Sequence, residues 1–207
     1  MHRITIGLFA FISFHVTGQQ YKAEEFQAGL LEAKYGAMLV YNGQINSFTL
    51  KFQAKSFKPA DKPNFIIVDN FIIQSSIVPF TQKLDFNNLD IETQRKLLSG
   101  WKGYEKNWIE GQLKTNLKDK EEFIEISKRL FLYWVTDMPE SRDPASVDNQ
   151  VYLVTICFDQ MLILNGPVEK GKTENLVKNK LVTIANTLEL YPNQKQDIEK
   201  LYHELKK

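Results

Sequence analysis

Val151-Tyr152-Leu153-Val154-Thr155-Ile156 and Met161-Leu162-Ile163-Leu164 are two apolar runs separated by Cys157-Phe158-Asp159-Gln160. Their length and β-branched content suit strands, and the short polar break between them suits a hairpin. Two strands joined by so few residues must be antiparallel, because a parallel crossover takes a dozen residues or more. The same grammar recurs upstream. Asn42-Gly43 lies between Met38-Leu39-Val40-Tyr41 and the run from Ile45 to Phe57, in which Phe48, Leu50 and Phe52 alternate with Thr49 and Lys51. Asn-Gly favours a tight turn because both residues tolerate positive φ. Phe65-Ile66-Ile67-Val68 and Phe71-Ile72-Ile73-Gln74 flank Asp69-Asn70. They predict a second hairpin, buried on both faces.

Helical periodicity fills the gaps. Phe26, Leu30 and Ala33, spaced i, i+4, i+7, predict a short helix over 23–36. Asp90 is placed to cap a helix from Ile91 to Leu117, with Leu97, Trp101, Tyr104 and Trp108 on one face. Such a stripe is expected to be core against a sheet, the other use being the lining of a ligand pocket. Gly100, Gly103 and Gly111 lie inside this helix. Each costs roughly 1 kcal/mol relative to Ala, so close backbone packing is expected to offset them. Phe123 to Val135 predicts one or two strands, and Glu140 to Asn149 an exposed loop. Alternation through Tyr133-Trp134 should turn one ring outward, which makes Trp134, with Arg142 of the following loop, a candidate surface contact. A helix from Thr173 to Leu190, broken by Pro192, precedes a last helix with Ile198, Leu201, Tyr202 and Leu205 on one face.

Strands follow strands through short turns, so the expected class is α+β, a mostly antiparallel sheet with helices packed on it. This order of hairpins, a long helix, a three-stranded meander and closing helices resembles the PsbP/Mog1-like α/β/α sandwich. Val151 to Leu190 carries most of the resemblance, with its closing Ile184-Ala185-Asn186-Thr187-Leu188. It extends over residues 45–190 by element order. That family consists largely of accessory and binding proteins, so the resemblance implies a non-catalytic role, and it carries over no functional residue.

The N-terminus points to export. Arg3 precedes an uncharged run, Ile4 to Phe14, then His15-Val16-Thr17-Gly18-Gln19. A basic start, a short apolar stretch and small residues describe a secretory signal peptide over 1–18, cut between Gly18 and Gln19. The remaining expectation is one domain over 19–207, in the periplasm or secreted, with no stable membrane anchor. An uncleaved anchor or a buried strand is the other use of such a run. The whole chain has 26 basic and 25 acidic residues, 14 Phe, 8 Tyr, 3 Trp and a single cysteine. Loss of Arg3 with the leader makes the rest neutral, which leaves no electrostatic footprint for nucleic acid. Cys157 alone cannot form an internal disulfide, and no Asn-x-Ser/Thr acceptor is present, so a bacterial envelope suits the chain at least as well as a eukaryotic secretory route.

One motif is literal. Gly166-Pro167-Val168-Glu169-Lys170-Gly171-Lys172-Thr173 spells the phosphate-loop pattern, in which backbone N–H groups cradle phosphates, Lys172 reaches the terminal ones and Thr173 ligates magnesium. Gly166, Gly171, Lys172 and Thr173 are therefore candidate cofactor-binding residues. Against them, such proteins build a parallel sheet largely after the loop, and here helices follow. The plainer use of Asn165-Gly166-Pro167 is a turn. With His203 and Cys157 the only His and Cys after residue 18, no Cys/His zinc cluster can form. Cys157 at a strand end is expected to be buried and inert, Glu121-Glu122 a solvated pair, and the lysines at 170, 172, 178 and 180 a wet helix face. No catalytic residue, metal or cofactor is expected. The sequence thus favours a non-enzymatic accessory or binding protein whose partner is a protein or small ligand outside the cytoplasm, with a phosphate-loop nucleotide binder as the alternative.

Overall fold

The hairpins assemble into two antiparallel sheets. The structure is a computed structural model that describes residues 21–60, 64–86, 88–139 and 147–206; the leader and the Gly18/Gln19 junction lie outside them. In chain order the elements are β1 (Gln27–Ala33), β2 (Gly36–Asn42), β3 (Ser47–Gln53), β4 (Phe57–Pro59), β5 (Phe65–Val68), β6 (Phe71–Pro79), α1 (Ile91–Leu113), β7 (Asp119–Ile126), β8 (Arg129–Asp137), β9 (Val147–Cys157), β10 (Gln160–Glu169), α2 (Glu174–Ala185), β11 (Glu189–Tyr191) and α3 (Ile198–Lys206). The larger sheet runs β4-β5-β6-β10-β9-β8-β7 and the smaller β1-β2-β3-β11. Every strand pair is antiparallel. The α+β class read from the sequence is the class of this fold.

Period-two alternation sorts the central strands onto two covered faces. Phe131, Tyr133 and Val135 of β8, Leu153 of β9 and Leu164 of β10 point to the smaller sheet and α2, and join Phe48, Leu50 and Phe52 of β3 in the main core. Leu132, Trp134, Tyr152, Val154 and Ile163 point the other way, onto Leu98 and Ile109 of α1. The third layer is α3, whose Ile198, Leu201, Tyr202 and Leu205 cover Leu31, Met38 and Val40, as their spacing predicted.

Several local expectations are corrected. Residues 27–33 form a strand, because β1 pairs along its length with β2, Leu30 facing Leu39. The i, i+4, i+7 spacing there is coincidental with an edge strand under a helix. The second hairpin is buried on one face only: Ile66, Val68 and Ile73 are core, while Ile67 and Ile72 are half-buried. Its turn is the expected one, with Asp69 and Asn70 both at positive φ. The first hairpin forms without that device. It closes through four residues, Gly43–Asn46, with the Glu24 carboxylate accepting from the Ile45 and Asn46 N–H groups and from the Asn46 amide. The segment carrying Glu24 is itself tied down where Asp159, in the β9–β10 turn, accepts from the Tyr21 hydroxyl at 2.8 Å and the Glu24 N–H at 2.6 Å.

Helix α1 starts as expected, with Asp90 accepting from the Thr93 N–H, and ends at Leu113 on Lys114 in the left-handed conformation. Its glycines are not there for close packing: a Cβ at Gly100, Gly103 or Gly111 would meet nothing within 4 Å. Helix α2 stops at Ala185. The Thr187 hydroxyl then accepts from the Lys51 N–H, and the chain enters β11 against β3. The helix predicted to reach Leu190 is shortened because the smaller sheet offers those residues backbone partners.

Candidate functional site

Helix α1 lies across the larger sheet with two unlike flanks, set by 3.6-residue periodicity. One flank faces β7. Lys102 bridges Asp119 at 2.7 Å and Glu121 at 2.5 Å, Lys106 reaches Asp119 at 2.5 Å, and Arg95 stacks 4.7 Å from the centre of the Phe123 ring. Asp119 also accepts from the Trp134 indole N–H at 3.2 Å. Glu121 and Glu122 are both exposed, as expected of a solvated pair, with Glu121 at the edge of this network and Glu122 3.5 Å from Lys178. Burial alone would raise the Asp119 carboxyl, but Lys102 and Lys106 outweigh it and hold it below its ordinary value. A lowered carboxylate contributes stability above its unfolded-state pKa and loses it as pH falls through the folded value. The network should therefore weaken below about pH 4. Urea midpoints at neutral pH and at pH 3 should converge between the native protein and Asp119→Asn in acid; a gap unchanged by pH would refute the assignment.

The other flank carries Leu97, Trp101, Tyr104 and Trp108, and its first turn lies beside the end of β6 and the start of β10. At its start a cavity of about 300 Å³ opens between Leu97, Gly100 and Trp101 of the helix and Val78, Phe80 and Met161 of the sheet side. That volume is at the lower end for small-molecule sites, and the lining is mainly apolar. Trp101 is fixed edge-on against Trp134 and Tyr152, with ring centres 6.0 and 6.2 Å away, and these two rings stack at 4.4 Å. Farther along, the flank is open: Tyr104 is 71% exposed and Trp108 55%. The stripe expected to be core is thus divided, its first turn in the core and its last two rings in solvent. The inward stripe is Leu98, Glu105 and Ile109, offset from the predicted one.

Polar side chains continue the same face of the sheet past the cavity. Asn165, 5% exposed, stands between Gln150 of β9 and Gln74 of β6. It accepts from the Gln150 amide at 2.8 Å and donates to the Gln74 carbonyl oxygen at 2.9 Å. Across the β9–β10 pair Asn165 faces Tyr152. Burial, with the Glu105 charge adding to it, pushes the Tyr152 hydroxyl well above its ordinary value, and burial raises the Glu105 carboxyl. Nothing in the sequence patterns marked Gln74, Glu105, Gln150 or Asn165. The one hint was an amide standing at the end of each of three apolar runs.

The residues singled out from sequence fall elsewhere. Trp134 is fully buried, a correction to its assignment as a surface contact. Alternation turned both rings inward because both faces of β8 are covered, one by α1 and one by α2. Tyr133, on the α2 side, donates to Glu174 at 2.5 Å. Arg142 lies outside the described residues. In the phosphate-loop spelling, Gly166 to Glu169 are paired strand within β10, Gly171 alone takes positive φ, and Thr173 is the N-cap of α2. Gly166 has a packing role, since a Cβ there would come within 3.0 Å of the Ile72 oxygen and 3.2 Å of Val177. Lys172 donates to the Asn70 oxygen at 2.5 Å and to Glu169, and lies 4.9 Å over the Phe71 ring. Lys180 bridges Asp69 at 2.8 Å over the same ring. Of the four lysines expected to form a wet face, Lys170 is exposed, while Lys172, Lys180 and Lys178, the last over Tyr133, cover aromatic rings. Cys157 is buried, its thiol pushed up to about 12 by desolvation, as its place at a strand end predicts. Among the described residues no helix is long and apolar enough to cross a membrane.

No protein-family model matches the chain, and no curated protein matches it. Among solved structures it is similar to the solution structure of cyanobacterial PsbP (CyanoP) from Synechocystis sp. PCC 6803. The match covers 78% of this chain and 94% of that one, at 8% identity and a TM-score of 0.42. The chain has a weak PsbP-like resemblance of fold.

Proposed function

We propose that this chain is an exported, non-enzymatic binding protein whose ligand site is the groove beside α1. The observation that carries the binding half is the flank of α1: exposed Tyr104 and Trp108 continue a helix face whose earlier turns open on a cavity of about 300 Å³. Large exposed rings beside an open, mainly apolar depression are where binding energy can be gained. The Lys102 and Lys172 ammonium groups are engaged with carboxylates, and the Cys157 thiol is buried, which removes the obvious nucleophiles from service. The export half rests on Arg3, the apolar run Ile4–Phe14 and the Val16/Gly18 pair.

Each half has its own test. Expressed whole in a bacterial host, the protein should be recovered from the envelope or medium with Gln19 as its first residue; a cytoplasmic chain that retains the leader would refute export. Anilinonaphthalene sulfonate should bind the folded protein and lose its fluorescence in Gly100→Leu, whose side chain fills the cavity from a position with free space around its Cα. Equal binding by both proteins would refute the groove.

A further inference from the structure

The upper half of the groove differs chemically from the apolar cavity below it, and this difference names a ligand class; the inference rests on the groove being the binding site. Three features lie along this face of the sheet and the helix flank beside it. The first is the amide ladder, Gln74–Asn165–Gln150. Asn165 spends its amide on its two neighbours, which fixes both glutamines and leaves the Gln150 carbonyl oxygen and the Gln74 amide N–H without partners among the described residues. Each half-buried glutamine therefore ends in an unused hydrogen-bonding group, one an acceptor and one a donor. The second is Glu105, half-buried above Tyr152, whose carboxylate has no hydrogen-bond or ion-pair partner among the described residues. The third is the wall of Tyr104 and Trp108, one turn apart, so their rings are offset by about 6 Å along the helix.

Charge selects among ligands. The only side chain of α1 charged at neutral pH on this part of the groove is the Glu105 carboxylate, while Lys102 and Lys106, on the opposite flank, are already bridged to Asp119. A phosphate, sulfate or uronate would face Glu105 with no free cation on α1 to offset it, and burial makes that repulsion stronger than in water. A purely apolar ligand would leave the ladder ends and Glu105 desolvated and unpaired. What remains is a neutral ligand rich in hydroxyl donors, with flat apolar faces to lie on Trp108 and Tyr104. We infer that the upper groove binds a neutral saccharide chain: sugar faces stack on the two exposed rings, and hydroxyls donate to Glu105 and the Gln150 carbonyl oxygen and accept from the Gln74 amide.

The experiment is isothermal titration of the protein with maltohexaose, cellohexaose and chitohexaose, with anilinonaphthalene sulfonate as a parallel probe. At least one saccharide should bind. Trp108→Ala should weaken it by roughly tenfold, the worth of one stacked ring, and Gln150→Ala should also weaken it. Trp108 is exposed, so Trp108→Ala should keep the native melting temperature; Gln150→Ala takes a partner from the buried Asn165 and should melt somewhat lower, so it is titrated well below its own melting temperature. Failure of all three saccharides, or binding that Trp108→Ala and Gln150→Ala leave intact, would overturn the inference. If the saccharides fail while the fluorescent probe still binds the native protein and not Gly100→Leu, the groove stands and only the ligand class falls. If neither binds, both fall.

Discussion

Trp134→Ala should lose about 3–5 kcal/mol of folding stability, the cost of truncating a fully buried aromatic. The side chain has no exposed surface, stacks on Tyr152 at 4.4 Å, takes the edge of Trp101 at 6.0 Å and donates to Asp119 at 3.2 Å. Its removal opens a cavity between α1 and the sheet and takes one partner from the carboxylate that anchors Lys102 and Lys106. The loss should appear in urea unfolding followed by circular dichroism, since fluorescence itself changes with the substitution. Trp134→Phe, which keeps a ring but not the N–H, should recover a large part of it. A Trp134→Ala protein within about 1 kcal/mol of the native one would mean that this face is far looser than its contacts imply.

Gly36→Ala should be the other severe substitution. Gly36 begins β2 at φ 130°, a conformation that L side chains rarely adopt, and a Cβ there would lie 2.2 Å from the Phe52 oxygen and 3.0 Å from the Ala54 backbone nitrogen. Backbone cannot step aside as a flexible side chain would, because Gly36 is paired with Gln53 and the Tyr35 oxygen accepts from the Ala54 N–H at 2.8 Å. Strained backbone of this kind costs about 1–3 kcal/mol before the clash is counted. The expected loss is therefore about 3 kcal/mol or more, read as a lower urea midpoint. Gly111→Ala supplies the contrast. It sits in α1, where an added Cβ would meet nothing within 4 Å, so it should stabilise by about 1 kcal/mol through helix propensity alone. A Gly36→Ala protein as stable as Gly111→Ala would contradict the β1–β2 geometry.

The sequence was most legible where local chemistry and tertiary contact agree. Asp69-Asn70 both take positive φ, Asp90 caps α1, and Ile198, Leu201, Tyr202 and Leu205 form the inner face of α3. Each depends on a turn preference, a cap or a single helical face, which short stretches encode. It misled where a periodic pattern had two readings. Phe26, Leu30 and Ala33 have helical spacing in a segment that pairs as an edge strand with β2, a partner the spacing cannot reveal. The aromatic stripe of α1 was legible as a stripe, but its position on the helix was not. Leu98, Glu105 and Ile109 turn inward, and the stripe is left on a flank, half in the core and half in solvent. The candidate site was legible only in its wall. Its floor joins Gln74, Gln150 and Asn165 from three strands, and the closest two are 15 residues apart in the chain.

By itself the sequence determined the class of fold, because short turns between apolar runs permit only antiparallel neighbours. It also determined the Asp90 cap of α1 and the solitary, buried thiol, which are consequences of local residue chemistry and composition. The tertiary structure alone decided which faces of the strands are covered. Trp134 is core rather than contact because α1 lies on one side of β8 and α2 on the other. The structure also decided that Gly166–Glu169 is paired strand, and that an amide ladder lies beside an aromatic wall. Burial and convergence depend on which distant segments pack together, and no window of sequence contains both partners.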